Sequence, residues 1–160
     1  MAMHKLFVDD FDDDPYSLVA IHCSLEDYRL AYLLNQALKI RLKRNQHDVD
    51  FNYIKASYAI FEWDDEQRQM TWNLVANICK REEDALVSSG SLFELPMKNI
   101  ASFNLIPEMG QVDYFLKIQN DGKPINEKTI LSKIHAIPQV AAAYSVDSYE
   151  LKSRENLIFN

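Results

Sequence analysis

Hydrophobic and polar residues alternate along several stretches of this chain, and the alternation predicts a β-rich protein. Residues 16–23 are apolar on both faces, which is typical of a central strand. Two alternating runs, 57–63 and 69–80, are joined by five polar residues and predict a hairpin. Residues 112–119 and 139–147 alternate in the same way and predict two further strands.

Two stretches have apolar residues at helical spacing instead. Residues 25–44 follow Ser24, which is a candidate N-cap, and their apolar face is wide. Residues 126–136 begin at a candidate N-cap, Asn126, and must end before Pro138. We expect the first helix to leave three further side chains for a second partner: Tyr28, Tyr32 and Ile40.

The element order is β-α-β-β-β-β-α-β, counting a short strand near residues 92–95. It predicts an α+β fold, with an antiparallel sheet, two helices on one face and a ferredoxin-like second half. We expect one domain over residues 1–160. Within it, residues 1–15 form an acidic, solvated lead-in, and residues 148–160 form a docked or frayed tail.

The acidic balance of the chain affects the choice of partner. Its 160 residues carry a formal net charge of −7, which argues against nucleic acid because phosphate binding needs an excess of positive charge. One local exception leaves an RNA-associated function as an alternative. Four basic residues crowd the end of the first predicted helix: Lys39, Arg41, Lys43 and Arg44.

The sequence favours a cytoplasmic protein without a membrane partner. No signal peptide is visible, and no apolar stretch approaches the roughly 20 residues that a membrane helix requires. Cys23 and Cys79 are too few for a disulfide framework and are expected to be reduced thiols.

Common catalytic and cofactor-binding motifs are missing. Three glycines in the whole chain cannot build a glycine-rich phosphate loop, and no zinc or nucleophile motif is present. His22 and Cys23 are adjacent in a predicted strand, so their side chains point to opposite faces and cannot readily cooperate. We therefore expect no cofactor and no metal.

The most distinctive stretch, residues 106–114, places two carboxylates around a Pro and Gly bend. Glu108 and Asp113 can serve as general acid and base or bind a metal, which makes a small metal- or water-dependent enzyme one alternative. The structural alternative is that Pro107 and Gly110 shape a turn while Asp113 pairs with Lys117 along the next strand. We favour the structural alternative.

The same stretch reads I-P-E-x-x-x-V-D-Y, and it resembles the signature of the IPExxxVDY family. That family consists of small bacterial proteins, mainly from Bacteroidota. The resemblance implies no activity, because none is assigned to the family.

The sheet face opposite the helices is the predicted binding surface. It should display amides, an aromatic ring and a charged pair, a mixture typical of interfaces: Asn73, Asn77, Asp113, Phe115 and Lys117. We therefore expect a non-catalytic binding or protein-interaction module. Its partner is expected to be a second copy of the chain, as a homodimer, or another protein.

Overall fold

The computed structural model describes four stretches of the chain: residues 15–51, 56–84, 98–121 and 123–159. The acidic lead-in, apart from Pro15, and the short strand predicted near residues 92–95 lie outside the described residues.

Ten strands and two α-helices are present in the described stretches. In chain order they are β1 (Tyr16–Cys23), α1 (Asp27–Leu38), β2 (Lys43–Arg44), β3 (Val49–Phe51), β4 (Ala56–Tyr58), β5 (Ile60–Asp65), β6 (Met70–Ala76), β7 (Ile78–Asp84), β8 (Lys98–Asn104), β9 (Tyr114–Gln119), α2 (Glu127–His135) and β10 (Val140–Val146). Among these residues no helix is long and apolar enough to span a bilayer.

Six strands form one antiparallel sheet in the order β10-β1-β9-β6-β5-β2, so the predicted α+β class is confirmed. β1 and β6 run parallel with β9 between them, and β9 and β10 run parallel with β1 between them. These are two split βαβ units, the arrangement of a ferredoxin-like domain. The likeness therefore includes β1, α1 and β6 and is not limited to the second half of the chain.

Both helices pack on one face of the sheet, as predicted. The strands contribute side chains of one parity to this core, which follows from the period of two along a strand. The core combines strand residues with helix residues: Val19, Ile21, Leu74, Leu116 and Ile118 with Leu30, Leu34 and Ile134.

Helix α1 is shorter at both ends than the pattern predicts. Its N-cap is Glu26, which makes no side-chain capping bond, so the expected cap at Ser24 is wrong. The helix ends at Leu38 because Lys39 adopts a left-handed conformation, with φ 55°. The Asn35 side chain then holds the departing backbone, since Leu42 N donates to Asn35 Oδ1 over 2.8 Å. Continuation of the helix to residue 44 is therefore wrong.

The predicted hairpin and second helix are confirmed, with one change of boundary. β5 and β6 pair in register across the polar turn, and α2 begins at Asn126, whose Oδ1 accepts a hydrogen bond from Thr129 N. The second run does not continue to Lys80 as one strand, because it breaks at Asn77. Beyond that residue, β7 pairs with β8 in a separate two-stranded sheet.

The second face of the sheet is covered by irregular segments. The residues after β8 and the C-terminal tail, with its 3₁₀ turns at Ser148–Glu150 and Arg154–Leu157, lie across it. Each segment contributes side chains to a second core: Leu105, Ile106, Val112, Leu151 and Leu157 pack on Leu18, Ala20, Val75 and Phe115. The tail is therefore docked, and the central strands are buried on both faces.

Candidate functional site

The stretch at residues 106–113 is a joint between β8 and β9 that is anchored by one buried side chain near each end. Ile106 and Val112 have 0% and 1% of their surface exposed and belong to the second core. Between them, Pro107–Met109 forms a single 3₁₀ turn with proline at its start, where the missing N–H is not needed. The turn delivers the chain into β9, the strand that lies between β1 and β6.

Asn77, at the break between β6 and β7, holds this joint with its side chain. Its Nδ2 donates to Met109 O over 2.9 Å and to Val112 O over 2.8 Å, and its Oδ1 accepts from Ile106 N over 2.8 Å. Asn77 is fully buried, and these three bonds use both amide hydrogens and the oxygen. Its predicted role as an exposed binding residue is wrong.

Gly110 is favoured by close packing and not by an unusual backbone angle. Its φ of −62° is accessible to any residue. A Cβ at this position would lie 2.9 Å from the Asn104 Nδ2 atom, a separation that forces the amide to move. The predicted bend is present, and the contribution of glycine is that it leaves room for the Asn104 side chain.

Asp113 connects the start of β9 to both neighbouring strands. Its Oδ2 accepts from Cys23 N over 2.8 Å, its N–H donates to Ile21 O over 3.1 Å, and its carbonyl accepts from Asn77 N over 2.9 Å. The predicted pairing with Lys117 is therefore replaced by a bond to the end of β1. The Asp113 carboxylate therefore satisfies the backbone N–H of Cys23 at the end of β1.

Tyr114, the last residue of the signature, reaches the helix side of the sheet. Its hydroxyl donates to Leu25 O over 2.6 Å, just ahead of α1. Burial raises the pKa of Tyr114 well above its ordinary value of 10.0, and the negative charge of Asp27 raises it further. The hydroxyl therefore remains a neutral donor in the folded protein.

Glu108 is engaged in a different contact from Asp113. Its two carboxylate oxygens accept from Ser153 N and Ser153 Oγ, each over 3.1 Å, which ties the 3₁₀ turn to the docked tail. Thus the Asp113 carboxylate is bonded to the end of β1, and the Glu108 carboxylate is bonded to the tail. Among the described residues, no group of three or more His, Cys, Asp or Glu side chains is arranged to hold a metal ion. The catalytic alternative for this pair stays a prediction.

The face that carries Phe115 is closed, so the expectation of an open binding surface there is wrong. Phe115 is fully buried, and Asn73 and Lys117 are only 4% and 5% exposed. The tail contributes to this closure together with the residues after β8, since Lys117 Nζ donates to Leu157 O over 2.7 Å and lies 5.2 Å from the centre of the Phe159 ring. Alternation predicts which side chains share a face but does not show what covers that face.

The basic residues assigned to the end of the first helix do not form a helix terminus. Lys39 is the left-handed residue after α1, Arg41 lies in the connector, and Lys43 and Arg44 form β2. Arg44 pairs with Asp48 over 2.6 Å, and Lys43 stands opposite Glu62 in the sheet. Acidic partners beside these cations weaken the case for an RNA contact.

The outer face of α1 carries an open, mainly apolar groove. The groove has a volume of about 530 Å³ and is lined by six residues: Leu25, Tyr28, Arg29, Tyr32, Leu33 and Gln139. The two tyrosines lie one helical turn apart and remain 56% and 61% exposed. Their availability was predicted from the width of the helix face, whereas Ile40 is only 6% exposed and is not available.

Local contacts orient the two tyrosine rings. Gln36 Nε2 donates to the Tyr32 hydroxyl over 2.8 Å, one turn further along the helix. The Tyr28 hydroxyl donates toward Glu26, and this hydrogen bond raises the pKa of Tyr28. Sequence reasoning assigned neither Arg29 nor Gln139 to the groove. Gln139 in particular could not be assigned, because only the turn between α2 and β10 brings it there.

Two other hollows are polar and lie around the turn between β5 and β6. The first is lined mainly by mixed charges, including Lys39, Arg41 and Glu66. The second is lined by acids and amides, including Asp64, Gln69 and Asp121. Neither combines an apolar floor with exposed aromatic rings, as the groove on α1 does.

Comparisons with known proteins leave the site to be interpreted from its own geometry. No protein-family model matches the chain, and no significant match was found among curated proteins or among solved structures.

Proposed function

We propose that this protein is a cytoplasmic, non-catalytic interaction module that binds a partner protein through the groove on α1. The observation that carries this proposal is the pair of exposed tyrosines, Tyr28 and Tyr32, which form one wall of an apolar groove. The proposal includes membership of the IPExxxVDY family, whose signature letters here lie in the joint between β8 and β9.

The composition of the groove is that of an interaction surface. Tyrosine and arginine are enriched at protein interfaces, because each combines a large contact area with polar atoms. Leu25 and Leu33 give the groove an apolar floor, and Arg29 and Gln139 give it polar atoms. A volume of about 530 Å³ is within the usual range for ligand sites.

The tyrosines contribute little to the fold of the described chain. More than half of each side chain is exposed, whereas the opposite side of the same helix buries Leu30 and Leu34 completely. Helix α1 therefore has one face for the core and a second apolar strip. The partner that fits is a peptide segment with apolar side chains and a carboxylate for Arg29.

Peptide selection tests this function directly. Immobilised protein is used to select binders from a displayed library of random 16-residue peptides, and the affinity of selected peptides is measured by fluorescence polarisation. We expect the double substitution Tyr28→Ser and Tyr32→Ser to weaken binding at least tenfold. Tyr149→Ser, at a site with 63% exposure outside the groove, is the matched control and should leave the affinity unchanged.

Two results would count against the proposal. One is a library that yields no peptide with micromolar affinity. The other is a set of peptides that bind the double variant as tightly as the unchanged protein. In the second case the recognition surface lies elsewhere, and the polar hollows beside the β5–β6 turn become the next candidates.

The two alternative functions have less support from the geometry. An enzyme based on Glu108 and Asp113 has both carboxylates bonded to protein groups, and an RNA contact through Lys43 and Arg44 has acids beside both cations. A thermal shift with a divalent ion, abolished by Glu108→Gln, would support the enzyme. Strongly salt-dependent RNA binding would support the third function.

A further inference from the structure

The polar side chains that line the groove on α1 are mainly hydrogen-bond donors. Arg29 carries five N–H groups and no acceptor, and Gln139 adds an amide NH₂. The Tyr32 hydroxyl accepts from Gln36 Nε2 over 2.8 Å, and no described residue accepts the hydrogen of that hydroxyl. Among the described residues Arg29 forms no ion pair. The groove can therefore donate to several acceptors of a bound segment at once.

The backbone acceptors beside the groove are already engaged. Leu25 O accepts from the Tyr114 hydroxyl over 2.6 Å, and Gln139 O accepts from Cys23 Sγ over 3.5 Å. The remaining lining residues belong to α1, where backbone carbonyls bond to N–H groups one turn ahead. A bound segment with many backbone N–H groups would leave some of them without partners, which costs binding free energy.

We propose that the partner segment is rich in proline and binds the α1 groove as a polyproline II helix. This inference rests on the proposed function of the groove and adds the chemistry of the partner. Proline has a carbonyl and no N–H, so a proline-rich segment offers acceptors with few donors. A polyproline II helix has no internal hydrogen bonds, which leaves its carbonyls available, and grooves lined by aromatic rings recognise this conformation.

The spacing of the two tyrosines matches the rise of such a segment. Tyr28 and Tyr32 are four residues apart, which is about 6 Å along the helix axis. A polyproline II helix rises about 3.1 Å per residue, so two of its residues span the same length. Tyr32 is bonded to Gln36 on its C-terminal side, and Tyr28 is bonded to Glu26 on its N-terminal side. The hydroxyl ends thus diverge and leave space for a flat pyrrolidine ring between them.

The other common peptide conformations complement the groove less well. A helical segment uses its own carbonyls in internal hydrogen bonds and has few left for Tyr32 and Gln139. A β-strand needs a sheet edge with unpaired donors and acceptors, whereas this wall is a helix. Proline also restricts the free segment, which lowers the entropy lost on binding. A carboxylate at the end of the segment can pair with Arg29.

Fluorescence polarisation with two designed peptides tests this inference. The first probe is a fluorescein-labelled peptide in which Pro-Pro-Leu is repeated three times between two glutamates, and the second has Ala-Ala-Leu in the same places. We expect the proline peptide to bind the unchanged protein about tenfold more tightly, because alanine restores the N–H groups and the freedom of the free chain. Equal affinities for the two peptides would overturn the inference.

A single substitution tests the donor role of Tyr32. Tyr32→Phe keeps the ring and removes the O–H, and we expect it to weaken binding of the proline peptide about threefold to tenfold. Its melting temperature should match that of the unchanged protein, because the Tyr32 side chain is 61% exposed. Tyr149→Phe, outside the groove, is the matched control and should bind as the unchanged protein does. An unchanged affinity for Tyr32→Phe would also overturn the inference.

Failure of this inference can be distinguished from failure of the proposed function. Peptides selected from the random library may lose affinity for the variant with Tyr28→Ser and Tyr32→Ser while the proline and alanine probes bind the unchanged protein equally. That result retains the groove as an interaction surface and rejects proline recognition. A proline peptide that binds this double variant as tightly as the unchanged protein does not use the groove, and that result overturns the inference as well.

Discussion

At the scale of single residues, Asn77 has the largest structural consequence. We predict that Asn77→Ala lowers the free energy of unfolding by about 2–4 kcal/mol, because two buried backbone groups and one partly buried carbonyl lose their partners. Urea unfolding measures the change. The control is Asn45→Ala, which removes an exposed amide bond to Glu62 and should change stability by less than about 0.5 kcal/mol. Equal effects would show that Asn77 is not a buried clamp.

The raised pKa of Tyr114 predicts that the free energy of unfolding falls at alkaline pH. Its raised pKa means that the folded state keeps the proton, whereas the unfolded chain releases it above the ordinary pKa of 10.0. Stability should therefore be fully present below pH 10 and fall above it, by up to about 1.4 kcal/mol per pH unit from this group.

The variant Tyr114→Phe isolates this effect. We predict a loss of about 1 kcal/mol at pH 7 from the bond to Leu25, and a smaller fall in stability above pH 10 than in the unchanged protein. Tyr149→Phe is the control and should follow the unchanged protein in both respects. Parallel pH profiles for Tyr114→Phe and the unchanged protein would contradict the prediction.

These residue contacts could not be predicted from the sequence. Asn77 is separated from Ile106 and Val112 by 29 and 35 positions, so no local pattern links them. The letters of the signature identified the stretch and its turn residues favoured a structural role, but they did not show which groups the stretch contacts. Gly110 is similar, since only the folded chain shows that Asn104 lies against it.

At the scale of elements, the docked tail decides which surface is open. We predict that Leu157→Ala lowers the free energy of unfolding by about 2–5 kcal/mol, because a fully buried side chain is removed from the second core. Ile158→Ala, at a neighbouring side chain that is 50% exposed, should change stability by less than about 0.5 kcal/mol. Thermal unfolding of both variants measures the difference, and equal losses would mean that the tail is not anchored through Leu157.

Local patterns predict the elements themselves well and their boundaries less well. The period of two placed Tyr114 and Phe115 on opposite faces of β9, as the structure has them. The end of α1 was missed because it depends on the left-handed residue Lys39 and on the reach of Asn35 to Leu42. The tail was missed as a cover because its contacts with the sheet are long-range and irregular.

At the scale of the whole molecule, both faces of the six-stranded sheet are used for packing within the described stretches, and the proposed function therefore uses the outer surface of α1. The two split βαβ units put α1 and α2 on the same side and leave the groove on the outside of α1. The α+β class follows from the order of elements. The groove could not be predicted from that order, because Gln139 lies beside α1 only when the strands are arranged as they are in the folded sheet.

The most direct test of the interaction module is a map of where a selected peptide binds. Amide chemical shifts of ¹⁵N-labelled protein are recorded while the peptide is added. The largest changes should fall in α1, residues 27–38, and at Gln139, which together form the groove. Changes centred instead on residues 106–113, with α1 unaffected, would contradict the account and return the signature stretch to the position of functional site.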